Sequence, residues 1–413
     1  MTSFSIQSFG CRVNQAEAFQ WANTLQSHGW EFRKDSFQSD LVLVNTCTLT
    51  SRADSDVRGF IRKVSRLNPD ARMVLTGCFV EKNAGMLCKN SQVWRIFPNE
   101  KKSELALSIV SALGKKGKTE IRAYRSRALV KIQDGCDFSC SFCIIPSVRG
   151  RSRSLDRAEV LRQIADFVAQ GFREIVLTGI HINSYGEDLK PKRSLLDLLG
   201  EVKELDGLGR VRLSSLDPRL LDVSFLDQIT STRKICPHYH LSLQHASDDV
   251  LGRMGRKSRE EEYRAFLSCL NRKAPLASLG ADILVGFPGE SESDFERLCC
   301  FLEESPLTYF HVFTYSPRPG TAAARWEQVD GKLSRLRASR LQKLSQKKNL
   351  DFRKRFLGEE LEGIVIKKEI GNAQVLTSNY IKVHVPTCFE EKKADVVVRI
   401  TEADEKKTLG EVV

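Results

Sequence analysis

The sequence lacks the features that would carry a chain into or across a membrane. It begins MTSFSIQSFG, with no basic stretch followed by an apolar core, so no secretory leader is predicted. No apolar run approaches the roughly 20 residues that a transmembrane helix needs. Hydrophobic residues make up 41% and charged residues 28%, which is typical of a folded protein and not of a disordered one. These absences predict a cytoplasmic protein with no membrane partner.

Disulfides are rare in a reducing cytosol, so the twelve cysteines need another explanation. Metal binding or catalysis is the first to consider. The chain also carries 64 Lys and Arg against 52 Asp and Glu, a formal charge of +12. Such an excess favours an anionic partner, nucleic acid above all, although a basic solvated surface would give the same count.

The first part of the chain alternates short apolar strands with helices. The pattern predicts strands at 4–8, 41–45 and 73–76, with helices at 15–28 and 53–67. Alternating βαβ units indicate a parallel sheet with helices packed on its faces. A basic stretch with glycine, GKKGK at 114–118, has the composition of a linker. We therefore expect an α/β domain over residues 1–118.

From about residue 128 the alternation resumes over a longer stretch. Six strands are predicted, at 129–133, 174–178, 211–214, 239–243, 282–285 and 310–314. Helices fill the gaps between them, for instance at 156–170 and 292–304. Six βα repeats in roughly 200 residues fit an open, partial barrel better than the full eight. We expect this (βα)6 barrel to occupy residues 122–352.

The last part of the chain changes pattern. Residues 332–355 form a basic helical stretch with ten Lys or Arg, one acid and an apolar side of four leucines: Leu333, Leu336, Leu341 and Leu344. This helix could pack on the barrel with a solvated face, or it could face phosphates. Short alternating strands follow, at 361–367, 374–376, 382–385 and 396–400. They predict a small closed β-barrel over 353–413, a fold type often used for RNA.

The strongest motif is DGCDFSCSFC, which places Cys136, Cys140 and Cys143 (the loop trio) directly after the first barrel strand. Loops at the carboxyl ends of barrel strands build active sites. Three thiolates can hold three irons of a [4Fe–4S] cube, whose full ligation takes four cysteines. The next cysteine is Cys236, so one iron would stay open for a chelating substrate. Structural zinc is the main competitor, but it favours four ligands, and residues 134–150 contain no histidine.

Three further cysteines each follow a predicted strand of the first domain: Cys11, Cys47 and Cys78 (the strand trio). Parallel strands put their carboxyl ends on one edge of the sheet, so the three thiols can converge. Gly10 and Gly77 precede two of them, which lets the backbone approach a bulky cluster. A free cysteine is often only a small buried hydrophobe, and we interpret the others so: Cys88, Cys236, Cys269, Cys299, Cys300 and Cys388. The repeated position after a strand predicts a second three-cysteine cluster.

Two cysteine trios, an α/β domain, a six-unit barrel and a small β-domain together resemble the radical S-adenosylmethionine methylthiotransferases over essentially the whole chain. Six segments are most similar to the branch that acts on threonylcarbamoyladenosine in tRNA: GCRVNQAE, NTCTLT, TGCFV, KIQDGCDFSCSFCIIPSVRGRSRS, LTGIHINSYG and ILVGFPGE. The chain departs from that branch with SSLDP where SSIEP is common, and with Asn183 where glycine is usual. The terminal β-domain resembles a TRAM domain.

The resemblance implies two [4Fe–4S] clusters and a role for each trio. The loop trio would hold the cluster that cleaves S-adenosylmethionine to a 5′-deoxyadenosyl radical. The strand trio would hold an auxiliary cluster that carries the sulfur. One S-adenosylmethionine would methylate that sulfur, and a second would provide the radical that takes hydrogen from carbon 2 of the adenine at tRNA position 37. A reductant such as flavodoxin or ferredoxin would supply the electrons.

The remaining contacts are expected on loops after the barrel strands. The S-adenosylmethionine contacts proposed there are Thr178, Gly179, Ser214, Ser215, Gln244 and Gly286. Near the same rim, His181 and His245 are interpreted as scaffold residues. RNA contacts are expected from two arginine groups, Arg149, Arg151 and Arg153 after the loop trio and Arg122, Arg125 and Arg127 before the barrel. Ion pairs with barrel acids are the alternative for these arginines.

Two other functions stay open at this point. The same chemistry could act on isopentenyladenosine in tRNA or on an aspartate of a ribosomal protein. A protein of another class, a non-catalytic iron–sulfur RNA-binding or electron-carrying protein, is the second rival. A carrier would normally saturate each cluster with four cysteines and would need no six-unit barrel.

Overall fold

A computed structural model describes residues 3–115, 117, 126–386 and 395–413. The chain forms two compact units. The first contains Met1–Tyr124, Asp134–Arg153 and Ser316–Thr321, and the second contains Arg125–Gln133, Ser154–Tyr315 and Ala322–Val413. The domain ranges predicted from the sequence follow chain order and stay a prediction. Three residues singled out above, Arg122, Arg125 and Cys388, lie outside the described residues.

The first unit is a parallel sheet with helices on both faces. Its strands are β1 (Ser3–Ser8), β2 (Glu31–Phe32), β3 (Leu41–Thr46), β4 (Arg72–Gly77) and β5 (Val93–Phe97), in the order β2-β1-β3-β4-β5. Its helices are α1 (Arg12–Ser27), α2 (Ser51–Leu67), α3 (Cys78–Leu87), α4 (Leu105–Leu113) and α5 (Ile145–Arg149). This confirms the predicted parallel α/β fold. The edge strands β2 and β5 were not predicted, because one is two residues long and the other is only half-buried.

Strand β3 shows why the sheet forms. Its alternate residues enter two separate apolar cores, Leu41 and Leu43 on the side of α1 and α4, Val42 and Val44 on the side of α2 and α3. A strand buried on both faces reads as a continuous apolar run in the sequence, as parallel strands between two helix layers do. The carboxyl ends of β1, β3 and β4 therefore lie side by side at one sheet edge.

The second unit contains the partial barrel. Its six main strands are β6 (Ala128–Lys131), β9 (Glu174–Thr178), β10 (Arg210–Leu213), β12 (His238–Gln244), β13 (Ser278–Val285) and β14 (Tyr309–Thr314), and three two-residue strands accompany them: β7 (Gln133–Asp134), β8 (Arg153–Ser154) and β11 (Ser215–Leu216). The helices are α6 (Arg157–Ala169), α7 (Leu195–Val202), α8 (Val223–Ser231), α9 (Asp248–Arg253), α10 (Glu260–Lys273) and α11 (Glu292–Glu304). The sheet runs β10-β9-β6 and β11-β12-β13-β14, with parallel pairing throughout. The six predicted βα units are confirmed.

A long helix and a small β-barrel complete the second unit. Helix α12 (Gly331–Lys354) precedes β15 (Glu360–Glu369), β16 (Asn372–Thr377), β17 (Lys382–Pro386), β18 (Asp395–Ala403) and β19 (Thr408–Val412). These five strands close in the order β15-β16-β17-β19-β18, which confirms the predicted closed barrel. The closing strand β19 was not predicted. No helix in the described part of the chain is both long and apolar enough to span a bilayer.

The apolar side predicted for α12 is wrong in part. Leu341 is buried, but Leu333 and Leu336 are 37% and 69% exposed. The first half of the helix packs instead through Arg337, whose Nη1 donates to Glu290 Oε1 at 2.8 Å and whose guanidinium lies 5.1 Å from the ring centre of Phe295. An arginine guanidinium over an aromatic ring takes the place of the leucines at this contact.

Candidate functional site

The strand trio lies at the carboxyl edge of the first unit's sheet. Cys11 is the residue before α1, Cys47 directly follows β3, and Cys78 is the first residue of α3 after β4. Cys47 and Cys78 are each 3% exposed, and Cys11 is half-buried. Each thiol is close enough to influence the ionisation of another. The structure thus brings together the three cysteines that the sequence placed at strand ends.

Two glycines make this close approach possible. Gly10 has φ +82°, and a Cβ at this position would overlap the side chain of Cys47. Gly77 has φ +105°, and a Cβ there would overlap the backbone of Thr46. A side chain at either position would be strained by the backbone angle and blocked by its neighbour. The sequence-based expectation about these glycines therefore has a direct steric cause.

A buried arginine contacts the strand trio. Arg149 Nε donates to Cys78 Sγ at 3.3 Å, and its Nη1 lies 2.7 Å from Asp134 Oδ1 and 3.3 Å from Glu17 Oε1. Its Nη2 donates to Asn14 Oδ1, and its side chain is 0% exposed. The prediction that Arg149 faces RNA phosphate is wrong, because the guanidinium is buried against protein acceptors. Its position favours negative charge on the sulfur it touches.

Glu17 connects this arginine to a second buried cation. Glu17 Oε2 accepts from Lys102 Nζ at 2.7 Å and from Asn45 Nδ2 at 3.0 Å. Burial lowers the pKa of Lys102, and the carboxylate of Glu17 opposes that effect. The sequence analysis did not predict this buried network. The sequence feature that could have indicated it is the pair of polar residues Asn14 and Glu17, which stand three apart in the first half of a helix that buries mostly apolar residues.

Burial favours the protonated form of two thiols of the strand trio, those of Cys11 and Cys47. Burial raises the pKa of Cys47 to about 12, and it also raises the pKa of Cys11. Thiolates, and not thiols, are the ligands of iron and zinc, so metal binding would release these protons. A bound metal would compensate the negative charge that the thiolates gain when they lose these protons.

The loop trio belongs to the same compact unit. Cys136, Cys140 and Cys143 are all half-buried. Cys143 N donates to Cys140 O at 3.0 Å, which closes a tight turn, and Cys136 N donates to Gly150 O at 3.1 Å. The loop continues into α5, whose Val148 packs with Ile144 against Cys78. Together with Arg149, this contact places the chain of the loop trio directly against the strand trio.

Neither trio is spaced for a single zinc ion. Thiolates at about 2.3 Å from one tetrahedral zinc stand roughly 3.8 Å apart. Among the residues that the structure describes, one group of three or more His, Cys, Asp or Glu has its ligand atoms all within 4.8 Å, and that group contains no cysteine. Three thiolates on one zinc would fall within that limit, so neither trio has the spacing of a single zinc site.

The six proposed S-adenosylmethionine contacts lie at the carboxyl ends of strands in the second unit. Thr178 ends β9, Gly179 follows it, Ser214 follows β10, Ser215 begins β11, Gln244 ends β12 and Gly286 follows β13. The hydroxyl oxygens of Thr178, Ser214 and Ser215 are buried without a hydrogen-bond partner in the described chain. Buried polar atoms are rarely left unpaired, so an ordered water or a polar ligand is expected to complete these three.

The other three proposed contacts, Gln244, Gly179 and Gly286, lie at positions with an unusual backbone angle or close packing. Gln244 has φ +73° at a register shift of β12, which is uncommon for a residue with a side chain. A Cβ on Gly286 would overlap Ser334 of α12, and a Cβ on Gly179 would press on Gln133. These glycines therefore permit close packing within the unit, whether or not a ligand approaches them.

The two rim histidines are held by protein groups. His181 Nδ1 lies 2.7 Å from Ser184 Oγ, and His245 Nδ1 accepts from Ser247 N at 2.9 Å. Burial lowers the pKa of His245 to about 3, so it stays neutral at physiological pH. Both contacts agree with the interpretation of these residues as scaffold.

The two departures from the family pattern touch each other. Asp217 of SSLDP donates its backbone N–H to Asn183 Oδ1 at 2.8 Å. The Asp217 carboxylate in turn accepts from Arg219 Nε at 2.9 Å and from Arg256 Nη2 at 3.2 Å. The shorter acid and the added amide are therefore one local arrangement and not two unrelated changes.

Arg127 forms an ion pair with an acid of the barrel, as the alternative to RNA contact predicted. Its Nη1 lies 3.4 Å from Glu174 Oε1 of the barrel, beside Arg210 and Arg212, which bind the same carboxylate. Arg151 remains 90% exposed and pairs with Asp137.

Two sequence families match the chain. The radical SAM superfamily covers residues 130–302, and an uncharacterized protein family, UPF0004, covers residues 3–97. The chain is 34% identical to the threonylcarbamoyladenosine tRNA methylthiotransferase MtaB of Aquifex aeolicus, over 92% of this chain and 95% of that protein. It is 33% identical to MtaB of Bacillus subtilis, over 93% and 90%. The tRNA-2-methylthio-N(6)-dimethylallyladenosine synthase of Desulforamulus reducens is 32% identical, over 88% and 84%.

Among solved structures, the radical S-adenosylmethionine methyltransferase TsrM from Kitasatospora setae aligns with a TM-score of 0.56 and 15% identity, over 78% of this chain and 77% of that one. At this identity the likeness shows the fold alone. The barrel, its three-cysteine loop and the superfamily match define a radical S-adenosylmethionine enzyme, which uses S-adenosylmethionine and a [4Fe–4S] cluster. Within that superfamily, the chain belongs to the MtaB-type methylthiotransferases.

Proposed function

We propose that this enzyme places a methylthio group on carbon 2 of N6-threonylcarbamoyladenosine at position 37 of tRNA, next to the anticodon. The observation that carries the proposal is the presence of two cysteine trios in one compact unit, joined through Arg149. The names of relatives at 33–34% identity support the substrate. A relative named for the dimethylallyl nucleoside is 32% identical. The difference in sequence identity between the two kinds of relative is therefore small, and the substrate has to be tested directly.

Each trio has a separate task in this proposal. The loop trio would hold the cluster that binds S-adenosylmethionine, and the strand trio would hold an auxiliary cluster. When bound, these groups supply a carbon-centred radical and the sulfur to be transferred, with two S-adenosylmethionine molecules consumed. Flavodoxin or ferredoxin would provide the electrons, and a tRNA substrate would place the reaction in the cytosol.

The chain's own residues support these tasks. The Arg149 guanidinium would stabilise negative charge on the sulfur of Cys78, and Glu17, which pairs with the buried Lys102, helps to hold that guanidinium in place. The unpaired hydroxyls of Thr178, Ser214 and Ser215 would bind polar groups of S-adenosylmethionine. A target base in a single-stranded anticodon loop is cheap to unstack, which makes this position accessible.

Helix α12 offers a surface for tRNA phosphates. Of the ten basic residues at 332–355, which are those of the helix and the residue directly after it, five bind the protein itself: Arg337, Arg340, Lys348, Arg353 and Arg355. The other half is exposed, with no ion pair to any described residue: Lys332, Arg335, Lys343, Lys347 and Lys354. At 100° per residue, the second set falls within roughly 120° of one helix face. Five of these ten basic residues thus fit the interpretation that the helix packs on the protein, and the other five fit the interpretation that it faces phosphates.

Replacing three of these exposed residues by glutamine, K343Q/K347Q/K354Q, should weaken tRNA binding. Each lost phosphate contact should lower the slope of log K against log salt by about 0.7–0.9. The matched control is K192Q/K257Q, two exposed lysines of the same unit. Filter binding at several salt concentrations measures both. An unchanged slope in the triple variant would remove α12 from the RNA surface.

The function itself is tested by product analysis. Anaerobically reconstituted enzyme is incubated with S-adenosylmethionine, a reductant and tRNA that carries threonylcarbamoyladenosine or isopentenyladenosine at position 37. Digested nucleosides are then measured by mass spectrometry, with Cys140→Ala as the inactive control. We expect methylthiolation of the threonylcarbamoyl nucleoside. Product on the isopentenyl nucleoside alone would overturn the substrate, and unchanged nucleosides despite cleavage of S-adenosylmethionine would overturn the tRNA function.

A further inference from the structure

Three neighbouring strands of the barrel bring two imidazoles and a carboxylate together. His240 lies on β12, Asp282 on β13 and His311 on β14, and their ligand atoms are all within 4.8 Å of one another. The strand register sets Asp282 directly beside His311. His240 Nε2 is 3.0 Å and His311 Nδ1 is 3.4 Å from the same atom, Asp282 Oδ1. Atoms that share one ion at about 2.0–2.2 Å stand roughly 3.0–3.5 Å apart, so this spacing fits a common metal ion.

A second layer of contacts orients His240. The hydroxyl of Tyr309 lies 3.1 Å from His240 Nδ1 and 2.8 Å from His238 Nε2. The ring of Tyr309 lies against Gly280, where any Cβ would overlap it. When Nδ1–H donates to the hydroxyl, Nε2 presents its lone pair toward Asp282. Metal-binding histidines are commonly held in this way, through the ring nitrogen that does not bind the metal.

The charge of the group suits a cation. No lysine or arginine within the described ranges forms an ion pair with Asp282. With neutral imidazoles the three side chains carry one negative charge, which a divalent cation would compensate.

The group is also open on one side. The side chain of His240 is 8% exposed, but those of Asp282 and His311 are 27% and 55% exposed. Tyr239, Leu241 and Leu243 alternate with His240 along β12 and are buried, and the Tyr239 hydroxyl reaches Ile229 of α8. The three ligands therefore lie on the face of the sheet away from the helices. Three protein ligands with an open side are typical of metal sites that bind a further molecule.

We propose that His240, Asp282 and His311 form a binding site for a divalent transition-metal ion, separate from both cysteine trios. Two nitrogen ligands and one carboxylate suit zinc, iron(II) or cobalt(II) better than magnesium or calcium, which prefer oxygen. An ion here would keep open coordination positions for a nitrogen or oxygen atom of a bound molecule. A hydrogen-bonded triad without a metal is the alternative that the experiment must separate.

The test uses the full-length holoenzyme with its iron–sulfur clusters in place, so that the cluster cysteines do not compete for the probe ion. Zinc is added, excess is removed by desalting, and the zinc content is measured by mass spectrometry. Zinc K-edge absorption then reports the ligands. We expect one zinc per chain, with nitrogen and oxygen at about 2.0–2.1 Å and no sulfur at about 2.3 Å.

Variants locate the ion. Asp282→Asn and His311→Gln should each abolish stoichiometric zinc, and Tyr309→Phe should weaken zinc affinity roughly 10–100-fold through His240. His384→Gln, on β17 outside this group, is the matched control and should bind zinc as the wild type does. Wild-type protein without zinc, zinc bound through sulfur, or full zinc retention in Asp282→Asn would each overturn the proposal. The wild-type spectrum decides the question even if a variant does not fold.

Discussion

The two cysteine trios are assembled by opposite means. The loop trio lies within eight consecutive positions, and local backbone hydrogen bonds such as Cys143 N to Cys140 O shape its turn. The strand trio comes from three strand ends, and its thiols meet only because β1, β3 and β4 are neighbours in one sheet. The spacing of the loop trio is therefore set mainly by the backbone of its own loop. A trio from separate strands depends on the packing of a whole unit.

The trios also differ in their surroundings. The strand trio is more deeply buried, and Arg149 donates to one of its sulfurs. The loop trio is half-buried throughout. Arg149 itself ends α5, the short helix that follows the loop trio. The loop therefore contributes a residue to the surroundings of the strand trio, and this contact couples two sites that look independent in the sequence.

The largest effect is expected when one cysteine of each trio is removed. Cys140→Ala should abolish cleavage of S-adenosylmethionine, whereas Cys47→Ala should retain some cleavage and lose methylthio transfer. Each variant should hold about four irons in place of about eight. Iron analysis and chromatographic measurement of 5′-deoxyadenosine check this. Identical behaviour of the two variants would contradict the division of tasks between the trios.

A smaller effect is expected from Gly10→Ala, which tests the sheet-dependent trio alone. The added Cβ would overlap Cys47, and the backbone angle of +82° disfavours any side chain. We expect loss of up to half of the iron, with cleavage of S-adenosylmethionine largely preserved. Gly85→Ala is the control, because its Cβ would enter open space on α3, and alanine is favoured over glycine in helices by about 1 kcal/mol. Normal iron content in Gly10→Ala would show that the close approach is dispensable.

The smallest effect is expected from Arg149→Lys, which tests the coupling. Lysine keeps the buried charge but loses the directed bond from Nε to Cys78. Because hydrogen bonds to sulfur stabilise the reduced cluster, the reduction potential of the strand-trio cluster should fall. The measurement is a redox titration followed by electron paramagnetic resonance in a Cys140→Ala background, where only that cluster remains. Arg151→Lys, at an exposed position, is the control, and equal potentials in both would argue against the coupling.

Much of the fold could be predicted because local sequence reports burial. The strand at Glu174–Thr178 and the helix at Glu292–Glu304 have the bounds that periodicity predicted. Strands β5 and β19 were not predicted, because the residues of β5 are mostly half-buried and β19 has only a weak alternation of buried and exposed residues. The convergence of the strand trio was predictable, because position after a parallel strand implies a shared edge.

Short-range spacing in the sequence was enough to predict the alternation of strands and helices and the two trios of cysteines. The folded structure was needed to show that Arg149 is buried, that five of the ten basic residues at 332–355 bind the protein while five are exposed, and that His240, Asp282 and His311 come together. Such contacts depend on strand register and on which helix face packs, as with Asp282 beside His311. Strand register and helix packing bring together residues that are far apart in the chain, so no local sequence pattern predicts these contacts.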